Sequence, residues 1–393
     1  MDFEIVQVVQ ELSTAGGVET VAAELARVFT RSGLPNVVLA SAVGETFEEN
    51  TKVERVAPWL SMIPTRGVFR HLGRILVVPV FTLAATRAIK RRYPDAIVVS
   101  HGDSFAGDVL VVHAVNAQSL KEKRNSGNWR WLLNPMHLWV SLRDRWMIGC
   151  LRYRMYVAVS SRVAAELERI YAVPASRIRV ISNGIDLQRF SRSAESGAAV
   201  RRLFNIPLDA KLLLFVGHEF QRKGLAHIIG ALDKLGDDTW LLVVGSDNPA
   251  PFRKLAPRVQ DRVIFAGARS DLPQLYSAAD AFVLPTAYET FSLVCMEAMA
   301  CALPVFATAA GGIEEYLKDG INGFRIRMDA DDIAAKLAAA FADPALMRRL
   351  REGAAATAKT YGWDRVGVQY IELLKEIDAS KRGTVEGPLP QPA

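Results

Sequence analysis

At 393 residues and a net charge of +6, the chain is long for one hydrophobic core, and two domains are expected. Half of its residues are apolar and 23% are charged, the composition of an ordinary globular protein. No apolar run is long enough to cross a membrane, since the longest, residues 75–85, is short and contains Pro79.

The opening Met-Asp-Phe-Glu-Ile-Val runs straight into a strand and lacks the basic and apolar regions of a secretory leader. Cys150, Cys295 and Cys301 are odd in number and have no zinc-site spacing. A reduced, cytoplasmic setting is therefore expected.

Residues 5–12 read as a strand, followed by Gly16 and Gly17 and an amphipathic helix over 18–31 that Gly33 ends. A glycine pair between a first strand and its helix lets backbone approach a ligand, although it is also a cheap tight turn. A second strand covers 37–42. Residues 62–92 are apolar and basic together, as expected of a helix with a solvated basic face. Strands at 96–100 and 109–112 lead into His101 and His113, the carboxyl-end positions where open α/β sheets hold ligands. A lone histidine there is more often structural.

Residues 121–154 depart from the background. They hold Trp129, Trp131, Trp139 and Trp146, and eight basic residues against two acidic ones. That excess of six equals the net charge of the whole chain. Trp129, Arg130, Trp131, Arg143 and Arg145 would suit a membrane–water interface or a phosphorylated sugar acceptor. A helical pair with Trp inside and Arg outside is the plain alternative. The chain has no nucleic-acid module, and no nucleic-acid partner is expected.

Strands at 156–160 and 178–181 close the first domain, residues 1–187. Residues 188–199, rich in Ser and Ala, read as a linker. The strand–helix rhythm then restarts over 200–360, with strands at 212–216, 240–244, 263–265 and 281–284. Residues 361–378 are expected as a C-terminal helix returning to the first domain, and 379–393 as a disordered tail. Gly217 ends one strand of the second domain, and Arg222 and Lys223 share the following loop. There a guanidinium and an ammonium can neutralise a diphosphate without a metal.

The stretch 285–297 organises this half. A strand gives way to a loop carrying Glu289, then to a helix expected to start at 290–292 and to carry Glu297 two turns in. A helix N-terminus seats phosphate, and a carboxylate accepts two hydrogen bonds from a vicinal diol. The pattern suits a sugar–diphosphate–ribose ligand, and two solvated glutamates are the plain alternative.

Gly16-Gly17-Val-Glu19, Asn183-Gly184-Ile-Asp186, Gly217 to Gly224 with Arg222-Lys223, Glu289-x7-Glu297 and Gly311-Gly312-x-Glu314 occur in this order over nearly the whole chain. In this the chain resembles the retaining glycosyltransferases of family 4. The resemblance implies an α/β fold of GT-B architecture, two Rossmann-like doubly wound parallel-sheet domains facing a cleft. It implies that Gly16 and Gly17 approach the donor diphosphate, that Arg222 and Lys223 clamp it, and that Gly217 lies beside it. Glu289 would contact the transferred sugar, Glu297 the nucleotide ribose, and the backbone of Phe291, Ser292, Leu293 and Val294 the phosphate. Base contacts are expected around residues 267–270, including Arg269, and His113 is expected near the reaction centre. His113, Arg222, Lys223 and Glu289 would thus carry catalysis.

Three departures stand out. Ala114 follows His113 where the family often has Asp, Ser292 replaces a common glycine, and Ala302 replaces another. Within the family, residues 217–225 and 244–249 are similar to lipopolysaccharide core glucosyltransferases and to mannosyltransferases of polyprenol-linked polysaccharide. The implied reaction moves a hexose from a UDP- or GDP-type sugar to a saccharide acceptor, lipid-linked, at the cytoplasmic membrane face. No metal and no further cofactor are implied. A sugar-nucleotide epimerase or hydrolase of the same architecture, or a non-catalytic binding protein, are the other readings.

Overall fold

The computed structural model describes residues 3–13, 16–44, 51–63, 70–125, 135–255 and 257–383. The chain divides into two compact units, Met1–Gly184 with Trp363–Ala393, and Ile185–Gly362.

The first unit is built on a parallel sheet of seven strands. Their spatial order is Lys52–Arg55, Asn36–Ala40, Ile5–Val8, Ile97–Ser100, Val109–Val112, Met155–Ala158 and Ile178–Val180. The central strands are apolar on both faces because helices cover both. Two polar side chains with no exposure interrupt them, Gln7 in the middle of the first strand and Ser100 at the end of Ile97–Ser100. The expected strand over 5–12 stops at Val8. Glu11–Leu12 pairs separately with Ala42–Val43, because the chain leaves the main sheet at the edge where its loops gather. The edge strand Lys52–Arg55 has exposed ends and no apolar run, so periodicity did not reveal it.

The second unit carries a six-stranded parallel sheet. Its order is Val263–Gly267, Thr239–Val244, Lys211–Val216, Ala281–Leu284, Val305–Ala307 and Gly323–Arg325. In each sheet the strand order reverses beside the first strand of that sheet. The gap lies between Ile5–Val8 and Ile97–Ser100 in one, and between Lys211–Val216 and Ala281–Leu284 in the other. Helices depart to opposite faces at such a point, and the carboxyl ends of its strands frame a crevice for ligands.

Residues 188–199 are not a free linker. Helix Ala194–Leu203 starts inside them, capped by Ser193, whose Oγ accepts from Ser196 N, and it belongs to the second unit. The capping serine competes with the low apolar content that made the segment look like a tether. At the other end, helix Trp363–Lys381 belongs to the first unit and packs on helix Gly17–Arg31. Its Lys381 Nζ donates to Ala96 O at 2.9 Å, and Arg179 pairs with Glu376 at 2.6 Å. The helix therefore extends past Asp378, while residues 384–393 of the expected tail lie outside the described residues.

An ion cluster ties the second unit together. Asp280 accepts from Arg201 Nη2 at 2.8 Å, Arg351 Nη2 at 2.8 Å and Leu212 N at 3.0 Å. Arg201 is buried and spends its other donors on the carbonyls of Ala278, Pro207, Leu208 and Ala210. Removing one partner of a buried pair leaves an uncompensated charge, so Asp280→Ala is expected to cost about 3 kcal/mol, read as a lowered unfolding midpoint in urea.

Candidate active site

In the second unit the site forms where the two central strands end. The loop after Lys211–Val216 carries Gly217 to Gly224, and the loop after Ala281–Leu284 carries Pro285 to Ser292. Gly217 N donates to Val244 O at 2.9 Å, which holds the loop's base to the neighbouring strand end. Two glycines then lock the loops together. Gly224 has φ +74°, and a Cβ on it would lie 2.2 Å from Pro285 O. Gly311 has φ +60°, and a Cβ would lie 1.6 Å from Glu289 O. Only glycine combines that backbone with that approach.

The clamped loops bring the expected charges together. Lys223 Nζ lies 2.9 Å from Glu289 Oε1, and Arg222 Nη1 lies 3.9 Å from the same oxygen. Arg222 also donates through Nη1 to Tyr288 O and through Nε to Glu219 Oε2 at 2.9 Å. Ala287 N donates to Arg222 O at 3.1 Å, so both the backbone and the side chain of Arg222 are held. Glu289 thus orients two cations side by side, one of them with a planar fork that suits a diphosphate.

The helix spans Leu293–Ala300 rather than starting at 290–292, because Phe291 and Ser292 are spent on the turn. Ser292 precedes it with φ +69° and ψ 80°, a left-handed conformation. That backbone accounts for the glycine common at this position in the family, and Ser292 sits there under strain. Its hydroxyl turns inward, 3.3 Å from Cys295 Sγ. Tyr316 braces the turn from behind, donating to Phe291 O at 2.8 Å. The first N–H groups of the helix, from Leu293 and Val294, have no intrahelical acceptor.

Glu297 lies on this helix and accepts a 2.8 Å hydrogen bond from Tyr276 Oη. Burial raises its pKa above the ordinary 4.5, and the Tyr276 hydroxyl, Arg189 and Lys223 work against that rise. Tyr276, which the sequence reading passed over, is therefore the direct partner of Glu297. Arg269 stands apart, locked to Asp271 by two bonds of 2.8 and 2.6 Å, with its guanidinium over the Phe204 ring at 5.7 Å.

In the first unit, Gly16 caps helix Gly17–Arg31, its carbonyl accepting from Thr20 Oγ1 at 2.7 Å, and Gly17 is the first helical residue. His113 follows its strand as expected. Its Nε2 lies 3.0 Å from Nδ1 of His101, whose own Nε2 lies 3.2 Å from Gln7 Oε1. Burial holds the His113 pKa down at about 4 and that of His101 well below its ordinary value. Asp103 accepts from Gln10 N at 2.9 Å beside them, and burial raises its carboxyl pKa. Gln7 was legible only as a polar residue inside an otherwise apolar strand.

The aromatic–basic block is divided. Trp129, Arg130 and Trp131 lie outside the described residues. Arg143 points inward, 3.1 Å from Asp144 and 3.9 Å from Asp103, so its charge is already paired. Trp139 and Trp146 flank Phe105 with ring centroids at 6.3 and 4.5 Å, and Arg152 caps the Trp146 ring at 4.6 Å. Arg145 stays exposed.

The Tyr276 hydroxyl favours ionised Glu297, so Tyr276→Phe is expected to raise the Glu297 pKa further. Carboxyl ¹³C NMR titration, with Glu297→Gln to assign the signal, reads the shift. The folded protein holds this proton more tightly than the unfolded chain. The contribution of Glu297 to stability is therefore lost as pH rises from 4.5 through the raised value, and more so in the variant.

The model for Glycosyl transferases group 1 matches residues 199–357, and that for Glycosyltransferase Family 4 matches residues 15–189. A D-inositol 3-phosphate glycosyltransferase of Xylanimonas cellulosilytica is 34% identical over 242 residues, 58% of this chain and 57% of that protein. The matched region thus spans little more than half the length of this relative. Among solved structures, WaaG, a glycosyltransferase involved in lipopolysaccharide biosynthesis, aligns with a TM-score of 0.75 at 21% identity, over 94% of this chain and 99% of WaaG. Anabaena HepE in complex with UDP-glucose aligns with a TM-score of 0.70 at 20% identity, over 95% and 99%. Both folds are GT-B. With its two halves matched by these two models and its parallel-sheet units matching GT-B structures, the chain belongs to the glycosyltransferases of family 4.

Proposed function

We propose that this protein transfers a hexose, with retention and without a metal, from a UDP- or GDP-type sugar to a saccharide acceptor. The observation that carries the reading is the convergence of Arg222, Lys223 and Glu289 beside the helix start at Leu293. The diphosphate of the donor is bound by the two cations and the helix N–H groups. Negative charge grows on it as the glycosidic bond breaks, and pre-aligned donors stabilise that charge more than they stabilise the ground state. Glu289 meets the transferred sugar and Glu297 the ribose hydroxyls. The leaving phosphate takes the acceptor proton on the same face of the sugar, which gives retention without a carboxylate nucleophile. HepE, a relative in fold, was solved with UDP-glucose, which favours a nucleotide sugar as donor class.

The acceptor in this reading is lipid-linked, a lipopolysaccharide core or polyprenol-linked saccharide at the cytoplasmic membrane face. Supporting it are apolar side chains exposed on two helices of the first unit that pack together. Leu138 and Leu142, 65% and 57% exposed, lie on Pro135–Asp144, and Leu76 and Leu83, 49% and 58%, lie on Arg70–Arg92. Trp146 and Arg145 extend that surface. Among the described residues, no helix is long and apolar enough to cross a membrane.

Calorimetry with UDP, GDP and ADP, with and without EDTA, tests the donor site. Arg222→Ala is expected to weaken the preferred diphosphate by about 2 kcal/mol or more, the range of a hydrogen bond to a charged group. Glu289→Gln removes a negative charge beside the diphosphate, so it should bind the nucleotide at least as tightly while turnover falls about 100-fold. Weakened binding in Glu289→Gln would show that its orientation of Arg222 and Lys223 outweighs its repulsion of the diphosphate.

Vesicle sedimentation tests the surface. Phosphatidylglycerol vesicles are expected to pellet the protein in a salt-sensitive manner, phosphatidylcholine vesicles much less, and Leu138→Ser with Leu142→Ser should lower both. Equal pelleting of the double variant and the parent would remove this face from the proposal.

A further inference from the structure

Three adjacent strands of the first sheet each deliver one polar ring or amide to the same place. Ile5–Val8, Ile97–Ser100 and Val109–Val112 are neighbours in register. Gln7 sits on the first, His101 directly follows the second and His113 directly follows the third. His101 N donates to Val8 O at 3.1 Å, which fixes the height of its ring against the first strand. The two imidazoles are near-parallel, 23° apart, with centroids at 5.4 Å.

The protons of this cluster follow from its distances. A neutral imidazole has one donor nitrogen and one acceptor nitrogen. With the Gln7 amide this way round, Oε1 faces His101 and can only accept, and Nε2 has no partner among the described residues, so His101 carries its proton on Nε2, the atom 3.2 Å away. His101 Nδ1 is then bare, and the proton in the 3.0 Å contact belongs to His113 Nε2. That leaves Nδ1 of His113 bare in turn. Gln7 is wholly buried, so this order is imposed from inside the sheet.

We propose that Gln7, His101 and His113 form a hydrogen-bond relay that holds Nδ1 of His113 as an acceptor for a sugar hydroxyl. Gln7 and His101 are positioning residues in this relay, and only His113 meets the ligand. The low pKa values of both rings keep them neutral at physiological pH, as the relay requires. The ligand must then present a donor at this point; a group with acceptors alone, such as a fully ionised phosphate oxygen, is rejected there. The use of the acceptor by a sugar rests on the function proposed above, whereas the proton order does not.

Long-range ¹H–¹⁵N correlation of the full chain labelled at histidine reads the proton order directly. His101→Asn and His113→Asn assign two of the six histidines. At neutral pH both rings are expected to be protonated on Nε2, with a pyridine-type Nδ1. A His113 ring protonated on Nδ1, or charged, overturns the proposal. Gln7→Met removes the acceptor at similar volume and should let both rings sample both tautomers. Gln7→Glu keeps an acceptor and should hold the order. An unchanged order in Gln7→Met also overturns the relay, and if that variant fails to fold, the parent and Gln7→Glu decide. In turnover, Gln7→Met should lower kcat by about tenfold with KM for the donor little changed, the size of one hydrogen bond lost at the transition state. A changed tautomer with unchanged kcat would sink the sugar contact and leave the relay standing.

Discussion

The ion pair between Lys223 and Glu289 joins the two loops on which the second unit's site depends. Each loop ends a central strand, and the strands are neighbours only because the sheet order reverses between them. A parallel sheet sends successive helices to one face until it reverses, so this is the one point where two carboxyl-end loops diverge and leave room. The charges meet there because backbone meets there first. Gly224 lies against Pro285, and Gly311 against Glu289, at distances no side chain would allow. Arg222 is held at both its carbonyl and its guanidinium.

The strain at Ser292 belongs to the same construction. A left-handed residue costs about 1–3 kcal/mol when it is not glycine, and the turn retains it because Tyr316 and the Gly311–Gly312 segment brace it from two sides. The result is a helix whose first N–H groups open beside two cations. Glu297, further along the same helix, is tuned by competition. Burial pushes its carboxyl toward neutrality, and Tyr276 and the nearby cations push back. Such opposed influences are common where a carboxylate has to accept hydrogen bonds from a ligand.

The first unit solves a different problem with the same topology. Its reversal point collects neutral polar groups where the second unit collects charges, and the deepest of them, Gln7, governs the outermost by way of His101. The contacts of 3.2 and 3.0 Å link the three side chains in series, although the buried Nε2 of Gln7 has no hydrogen-bond partner among the described residues. The surrounding Trp and Arg residues divide in function. Arg143 is consumed by Asp144 and Asp103, while Arg145, Leu138 and Leu142 remain outside.

Much of this architecture was legible in the chain itself. Apolar runs of four to six residues ending in Gly217, Gly245, His101 or His113 marked buried parallel strands, and Arg222, Lys223 and Glu289 fell on the loops that follow the two central strands of the second unit, with Glu297 on the helix after them. These signals are local, and local signals survive in a sequence. Residues 188–199 misled because Ser and Ala content is ambiguous between a tether and a capped helix, and only packing against the second unit decides. The pairings of Tyr276 with Glu297 and of Gln7 with His101 span 21 and 94 residues, and no periodicity reports a contact at that distance. Arg143 and Arg145 have the same local chemistry two positions apart. Which one is buried depends on where Asp103 comes to rest, and tertiary structure alone sets that.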